Sequence, residues 1–152
     1  MQVNARIDYA VRAVVEVASR SADRPVSSSE IAEAQQIPPK FLEAILLTLR
    51  QGGLLSAQRG ASGGYLLARS AATITIADIL RAVDGPLAAV RGLPPEDTSY
   101  PQSAGLLRDV WVALRASMRT VLEATTVADV VAGALPEPVA ALLGSPDAWV
   151  RR

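Results

Sequence analysis

The chain has 152 residues, 15 basic against 15 acidic, is 50% hydrophobic, and contains neither cysteine nor histidine. That is the length of one domain, or of one small domain with a helical extension. The missing thiols and imidazoles exclude disulfides, thiol switches, Cys/His zinc sites, cysteine-ligated iron–sulfur clusters and Ser-His or Cys-His nucleophiles. There is no apolar run of about 18 residues, no basic-then-apolar leader pattern and no glycine-rich phosphate loop after a strand. The expectation is a cytoplasmic protein that is not an enzyme and has no membrane partner, cofactor or metal.

The first predicted helix covers residues 3–20, with Ile7, Ala10, Val11, Val14, Val15 and Ala18 as its apolar stripe. Asn4 and Arg6 open it, and a helix N-terminus beside a cation can hold a phosphate. A plain polar helix start fits the same two residues. After the Asp23-Arg24-Pro25 turn, Ser27 and Glu30 form a capping box for a short helix that turns Ile31 and Ala32 inward. Ser28 then lies in the first turn, where its hydroxyl can meet a phosphate or serve only the helix end.

The third predicted helix is opened by Pro39 and closed by Gly52-Gly53. Leu42, Ile45, Leu46 and Leu49 bury one face, leaving Lys40, Glu43, Ala44, Leu47 and Arg50 free. Two short strands follow, Leu54 to Gln58 and Tyr65 to Ala68, joined by a tip that holds Arg59, Gly60, Gly63 and Gly64. Helix, turn, helix and hairpin together make a winged helix. From Lys40 to Arg69 the chain carries four basic residues against one acid, Glu43, although it is neutral overall. That local excess points to double-stranded DNA. Lys40 can reach guanine or a phosphate, Glu43 can accept from cytosine N4, and Ala44 can pack on a thymine methyl. Arg59 suits a narrow minor groove.

Thr75 and Asp78 form a second capping box, with Ile76, Ile79, Leu80 and Val83 inward and the helix ending at Gly85-Pro86. Residues 1–86 are therefore expected as the DNA-binding domain. Residues 87–105 are irregular and rich in proline, glycine and polar residues, either a connector or an effector-binding loop in which Tyr100, Arg108 and Trp111 line a pocket. A long helix runs from Leu106 to Thr125, where Leu107, Trp111, Leu114, Met118, Val121 and Thr125 step by four and three, the seam of a helix that pairs with another. Intramolecular packing uses similar spacing. The length of this helix and the need of a helix-turn-helix for two half-sites favour a homodimer on a palindromic operator. Thr126 and Asp129 cap one more short helix, Val127 to Ala132. Val139 to Leu143 can add a last turn or two, so that residues 106–144 form the dimerisation unit and 145–152 a tail.

Several of these stretches together resemble the Rrf2 family of bacterial transcription regulators. They are Ile7-Asp8-Tyr9-Ala10-Val11, Val26-Ser27, Glu30-Ile31-Ala32-Glu33, Ile37-Pro38, Phe41-Leu42-Glu43, Leu49-Arg50, Gly53-Leu54, Arg59-Gly60, Gly63 to Ala68, Val83-Asp84-Gly85 and Leu107 to Trp111. The resemblance implies a mainly α fold with a small β-hairpin wing, a winged helix-turn-helix plus a long dimerisation helix, and a regulator of transcription that is typically a repressor. It implies that the first helix start, Asn4 and Arg6, touches the DNA backbone and that Lys40 and Glu43 contact bases. In cluster-bearing relatives three cysteines lie in the irregular loop, at positions that correspond here to Gly92, Thr98 or Ser99, and Gly105, with a fourth ligand near Arg108. None is a thiol, so a cluster is not expected. Control then falls to a small-molecule effector or, as in some cluster-free members, to a regulatory protein partner.

Overall fold

The computed structural model describes residues 2–20 and 23–151. Helix α1 (Ala5–Ser19) begins where the Asn4 side chain accepts a hydrogen bond from the Ile7 backbone N–H at 3.0 Å, satisfying one of the donors every helix start leaves open. Its Ile7, Ala10, Ala13, Val14 and Val17 are buried, and two alanines in that stripe let neighbouring helices approach closely. Helix α2 (Ser28–Gln35) starts at the Ser27–Glu30 capping box and ends on Gln36 in the left-handed conformation. Helix α3 (Pro39–Gln51) buries Leu42, Ile45, Leu46 and Leu49.

Strands β1 (Leu55–Gln58) and β2 (Gly64–Leu67) pair antiparallel, Leu55 opposite Leu67 and Gln58 opposite Gly64. A third backbone joins them, because Val26 and Tyr65 exchange hydrogen bonds of 2.9 and 2.8 Å. Gly64 is required at that junction: a Cβ there would sit 2.5 Å from the Val26 carbonyl oxygen. Helix α4 (Ile76–Asp84) opens with the Thr75–Asp78 capping box and ends at Gly85, whose φ of 86° is easy for glycine and costly for other residues.

The long helix α5 (Leu107–Leu122) is followed by α6 (Val127–Ala132), which starts at the Thr126–Asp129 capping box, and by α7 (Glu137–Leu143). The chain then returns to its first half. Thr126 bridges Thr75, the Ile76 N–H donates to the Thr125 carbonyl at 2.9 Å, and the Val127 N–H donates to the Ile74 carbonyl at 2.8 Å. Val127 is wholly buried in the same core as α1, α3 and α4, and Met118 joins it from α5. The core thus continues past residue 86, the expected end of the DNA-binding domain. Pro146–Trp149 form a final 3-10 turn in which the Trp149 indole N–H donates to the Leu143 carbonyl at 3.0 Å while the ring stays exposed. Arg152, the end of the expected tail, lies outside the described residues.

Candidate nucleic-acid interface

Helix α3 presents Lys40, Glu43, Ala44, Leu47 and Arg50 at intervals of three and four residues, so that all five share one face, and all five are exposed. Pro39 sits at its first position, where its missing N–H leaves nothing unpaired. Phe41, 65% exposed, flanks the same turn. Arg6 reaches this helix from α1 and donates to the Thr48 hydroxyl at 3.3 Å, while that hydroxyl donates to the Ala44 carbonyl at 3.0 Å. The start of α1 is thereby tied to the exposed side of α3. Thr48 was not foreseen as part of this surface, since threonine in a helix carries no sequence signal of its own.

Ser28, the first residue of α2, and Pro39 and Glu43 line one cleft of about 350 Å³ between α2 and α3. Asn4 caps α1 with its side chain, so any phosphate contact at that end would fall to Arg6 and to the helix N–H groups. Arg59 and Gly60 stand exposed at the tip of the wing, Gly60 with a φ of 112° that only glycine takes comfortably.

Charge pairing distinguishes this surface from most of the described residues elsewhere. Arg12, Arg20, Arg24, Arg69, Arg81, Arg108, Arg115 and Arg119 each lie within ion-pair distance of a carboxylate. Arg69, which adds to the positive charge of the 40–69 stretch in sequence, is neutralised: it donates to Asp78 at 2.8 Å and to the Thr73 carbonyl. Among the described residues Arg6, Lys40, Arg50, Arg59, Arg91 and Arg151 have no carboxylate partner. The first four lie in the winged helix, Arg91 beside the Trp111 cavity and Arg151 at the C-terminal end. Exposed cations left without a carboxylate partner are what a polyanion selects for.

Beneath the interface, α1 and α2 are locked by a network invisible to periodicity. Glu16 is buried and accepts from Arg20 Nε and Nη2 at 2.8 and 2.6 Å and from Gln35 Nε2 at 2.8 Å, and Arg12 Nε donates to Gln35 at 3.3 Å. Burial alone would raise the Glu16 carboxyl, but the hydrogen bonds from Gln35 and Arg20 and the charge of Arg20 hold it below the ordinary value. Asp78 is likewise held low, burial being outweighed by Arg69 and by the Thr75 backbone N–H.

The 87–105 segment is ordered by a tight two-residue turn. Val90 and Leu93 exchange hydrogen bonds of 2.9 and 3.0 Å across Arg91 and Gly92, which have φ of 54° and 79°. Tyr100 accepts a hydrogen bond from the Trp111 indole N–H at 3.0 Å, and the Arg91 guanidinium lies 5.5 Å from the Tyr100 ring centroid. Trp111 lines a cavity of about 550 Å³ with Arg91, Asp84, Leu114 and Met118. Of the three expected pocket residues only Trp111 lines this cavity: Tyr100 stands behind Trp111 and Arg91, and Arg108 turns to its neighbour Asp109 at 3.2 Å in the exposed first turn of α5. The cation at the cavity is Arg91 instead, which the sequence reading missed because only the turn conformation brings it there.

Helix α5 ends at Leu122, three residues short of the expected Thr125, so five of the six seam residues lie on it and Thr125 falls in the segment before α6; the six differ in burial. Met118 and Thr125 face the chain's own core, with the Thr125 hydroxyl donating to the Val121 carbonyl at 2.8 Å, so they are already packed inside the subunit. Trp111 and Val121 are half-buried. Leu107 and Leu114 are exposed, together with Leu106 and Val110, which the four-three spacing had not singled out.

Three comparisons bear on this arrangement. The profile of the Rrf2 family, described as an iron-dependent transcriptional regulator, matches residues 3–133. Rv1287 of Mycobacterium tuberculosis, named as an HTH-type transcriptional regulator, is 51% identical over 142 residues, 93% of this chain and 88% of that one. The solved structure of CymR, titled the global cysteine regulator of B. subtilis, superposes with a TM-score of 0.74 at 28% identity, covering 88% of this chain and 98% of CymR. IscR of T. potens superposes with a TM-score of 0.71 at 31% identity, covering 88% of each chain.

The iron in the family's description finds no thiolate or imidazole donors here. Gly92 and Gly105 have no side-chain donor, the Thr98 hydroxyl is buried and spent on the Pro95 carbonyl at 2.6 Å, and Arg108 is cationic. Among the described residues no group of three or more acidic, histidine or cysteine side chains converges. The residues do not fit a cysteine-ligated cluster. Nor does any described helix have the length and apolarity to cross a membrane. With a mainly helical fold, a two-stranded wing and relatives that are regulators of transcription rather than enzymes, this chain belongs to the Rrf2 family of winged-helix transcriptional regulators.

Proposed function

We propose that the chain is a dimeric, sequence-specific DNA-binding regulator, acting as a repressor and controlled by a small molecule without an iron–sulfur cluster. The observation that carries the reading is the set of unneutralised cations Arg6, Lys40, Arg50 and Arg59 on a molecule whose other arginines are largely paired. In the proposed complex Lys40, Glu43 and Ala44 face base edges in the major groove. Asn4, Arg6, Ser28, Pro39 and Arg50 follow the backbone, and Arg59 with Gly60 enters the adjacent minor groove. The apolar stripe Leu106, Leu107, Val110 and Leu114 supports pairing of two α5 helices, which would set two recognition helices on the half-sites of a palindrome. A dimer seated on an operator blocks access to it without any further contact, which favours repression. The cavity beside Trp111 supports small-molecule control, since it joins the end of α4 to α5.

Control by a protein partner has its own support in the exposed Leu142, Leu143 and Trp149 at the C-terminal end. Selection of genomic fragments on the purified chain tests the primary reading. A recovered palindrome bound by two chains supports it, whereas recovery of no motif, with or without candidate metabolites, moves the fold toward a protein-contact module.

A further inference from the structure

We propose that the cavity between the end of α4, the 90–93 turn and α5 binds a small zwitterion, an α-amino acid with an apolar side chain; this rests on the small-molecule reading of control. Two opposite charges edge this cavity: Asp84, the last residue of α4, and Arg91, in the tight turn. Both are exposed, and among the described residues neither forms an ion pair, with the other or with anything else; Arg91 only stacks on Tyr100. Elsewhere outside the DNA surface nearly every arginine has found a carboxylate. An acid and a base that face one cavity without closing on each other leave room for a ligand carrying both complementary charges.

The wall between them is apolar, made chiefly by Val90, Trp111, Leu114 and Met118. Trp111 is held by its hydrogen bond to Tyr100, so its ring is a fixed surface rather than a swinging one. A simple anion would be repelled by Asp84, a simple cation by Arg91, and a neutral hydrocarbon would satisfy neither. An amino acid places its ammonium on Asp84, its carboxylate on Arg91 through charge-assisted hydrogen bonds, and its side chain on the indole. Arg91 itself has a φ of 54°, which costs an arginine more than it would glycine or asparagine, consistent with a side chain needed at that point. Asp84 belongs to the DNA-binding half and Leu114 to the exposed stripe of α5, so one ligand would touch both and bias their relative placement.

The test uses the full chain carrying Trp149→Phe, so that fluorescence reports Trp111 alone. L-Leucine and L-phenylalanine should shift the emission saturably, while N-acetyl-L-leucine and L-leucinamide, each missing one charge, should bind about ten-fold more weakly or worse. Asp84→Asn and Arg91→Gln, both at exposed positions, should each produce a loss of similar size for the free amino acids, whereas N-acetyl-L-leucine, an anion repelled by Asp84, should bind Asp84→Asn more tightly than the parent chain. Equal binding of the blocked compounds overturns the zwitterion while leaving small-molecule control standing. No shift from either amino acid up to about 10 mM overturns the site. If instead the two variants change the mass of the assembly in light scattering and no probe binds, the charges belong to a subunit contact and the proposal fails. Operator binding by the same preparations without any amino acid shows separately whether the DNA reading holds.

Discussion

Glu43 is the one acid among the exposed groups of the α3 face, and acids near DNA are repelled unless a base donor meets them. Its proposed work is therefore selection rather than affinity: it accepts from a cytosine N4 and penalises other bases. Glu43→Ala should relax the preference at one position of each half-site while leaving total affinity unchanged or slightly stronger, as read from competition among single-base operator variants. A loss of affinity with unchanged base preference would assign Glu43 to the fold instead. Glu16 acts from beneath. Glu16→Ala strands the Gln35 amide and the Arg20 guanidinium and should cost about 1–3 kcal/mol in denaturant unfolding. Because the folded-state pKa values of Glu16 and Asp78 lie below their ordinary values of 4.5 and 3.8, the stabilisation they give is complete above those values. It is lost as pH falls through the depressed pKa values, so the midpoint of thermal unfolding should drop on acidification below about pH 4. Glu16→Gln should flatten its part of that fall.

At the scale of elements the wing depends on a backbone contact rather than on side chains. Gly64 lets β2 come within hydrogen-bonding distance of Val26, and a methyl group there would collide with the Val26 carbonyl. Gly64→Ala should push the hairpin away from α2, cost about 1–3 kcal/mol and weaken DNA binding beyond what stability explains; amide exchange of Tyr65 would report it. The three helices opened by capping boxes, and the glycine stop of α4, were legible because caps and stops are local signals within four residues. The Val26–Tyr65 and Thr75–Thr126 bridges and the Glu16 network were not, since they join residues far apart in the chain and leave no periodicity behind. Helix α5 shows the intermediate case. Its spacing announced a long amphipathic helix, but a four-three pattern cannot tell residues facing the chain's own core from those facing a partner: Met118 faces inward, and Thr125 lies buried beyond the helix end. The outer stripe carries the pairing proposal, so Val110→Glu with Leu114→Glu should convert a dimer to a monomer in sedimentation while leaving the helical content unchanged.

Among the described residues eight arginines have carboxylates beside them, and of the six cations without one, four lie in the winged helix. That asymmetry survives in a chain of zero net charge, where bulk electrostatics would draw no polyanion, and it is the physical core of the proposed DNA reading. The most direct measurement is the salt dependence of operator binding for the parent chain, Arg59→Ala and Arg119→Ala, the last a cation already paired with Glu123. Arg59→Ala should lower the steepness of log K against log salt by about 1 for each chain bound, and Arg119→Ala should leave it unchanged. Identical slopes for the parent and Arg59→Ala, or an equal loss from Arg119→Ala, would contradict a DNA interface built from the unpaired cations of the winged helix.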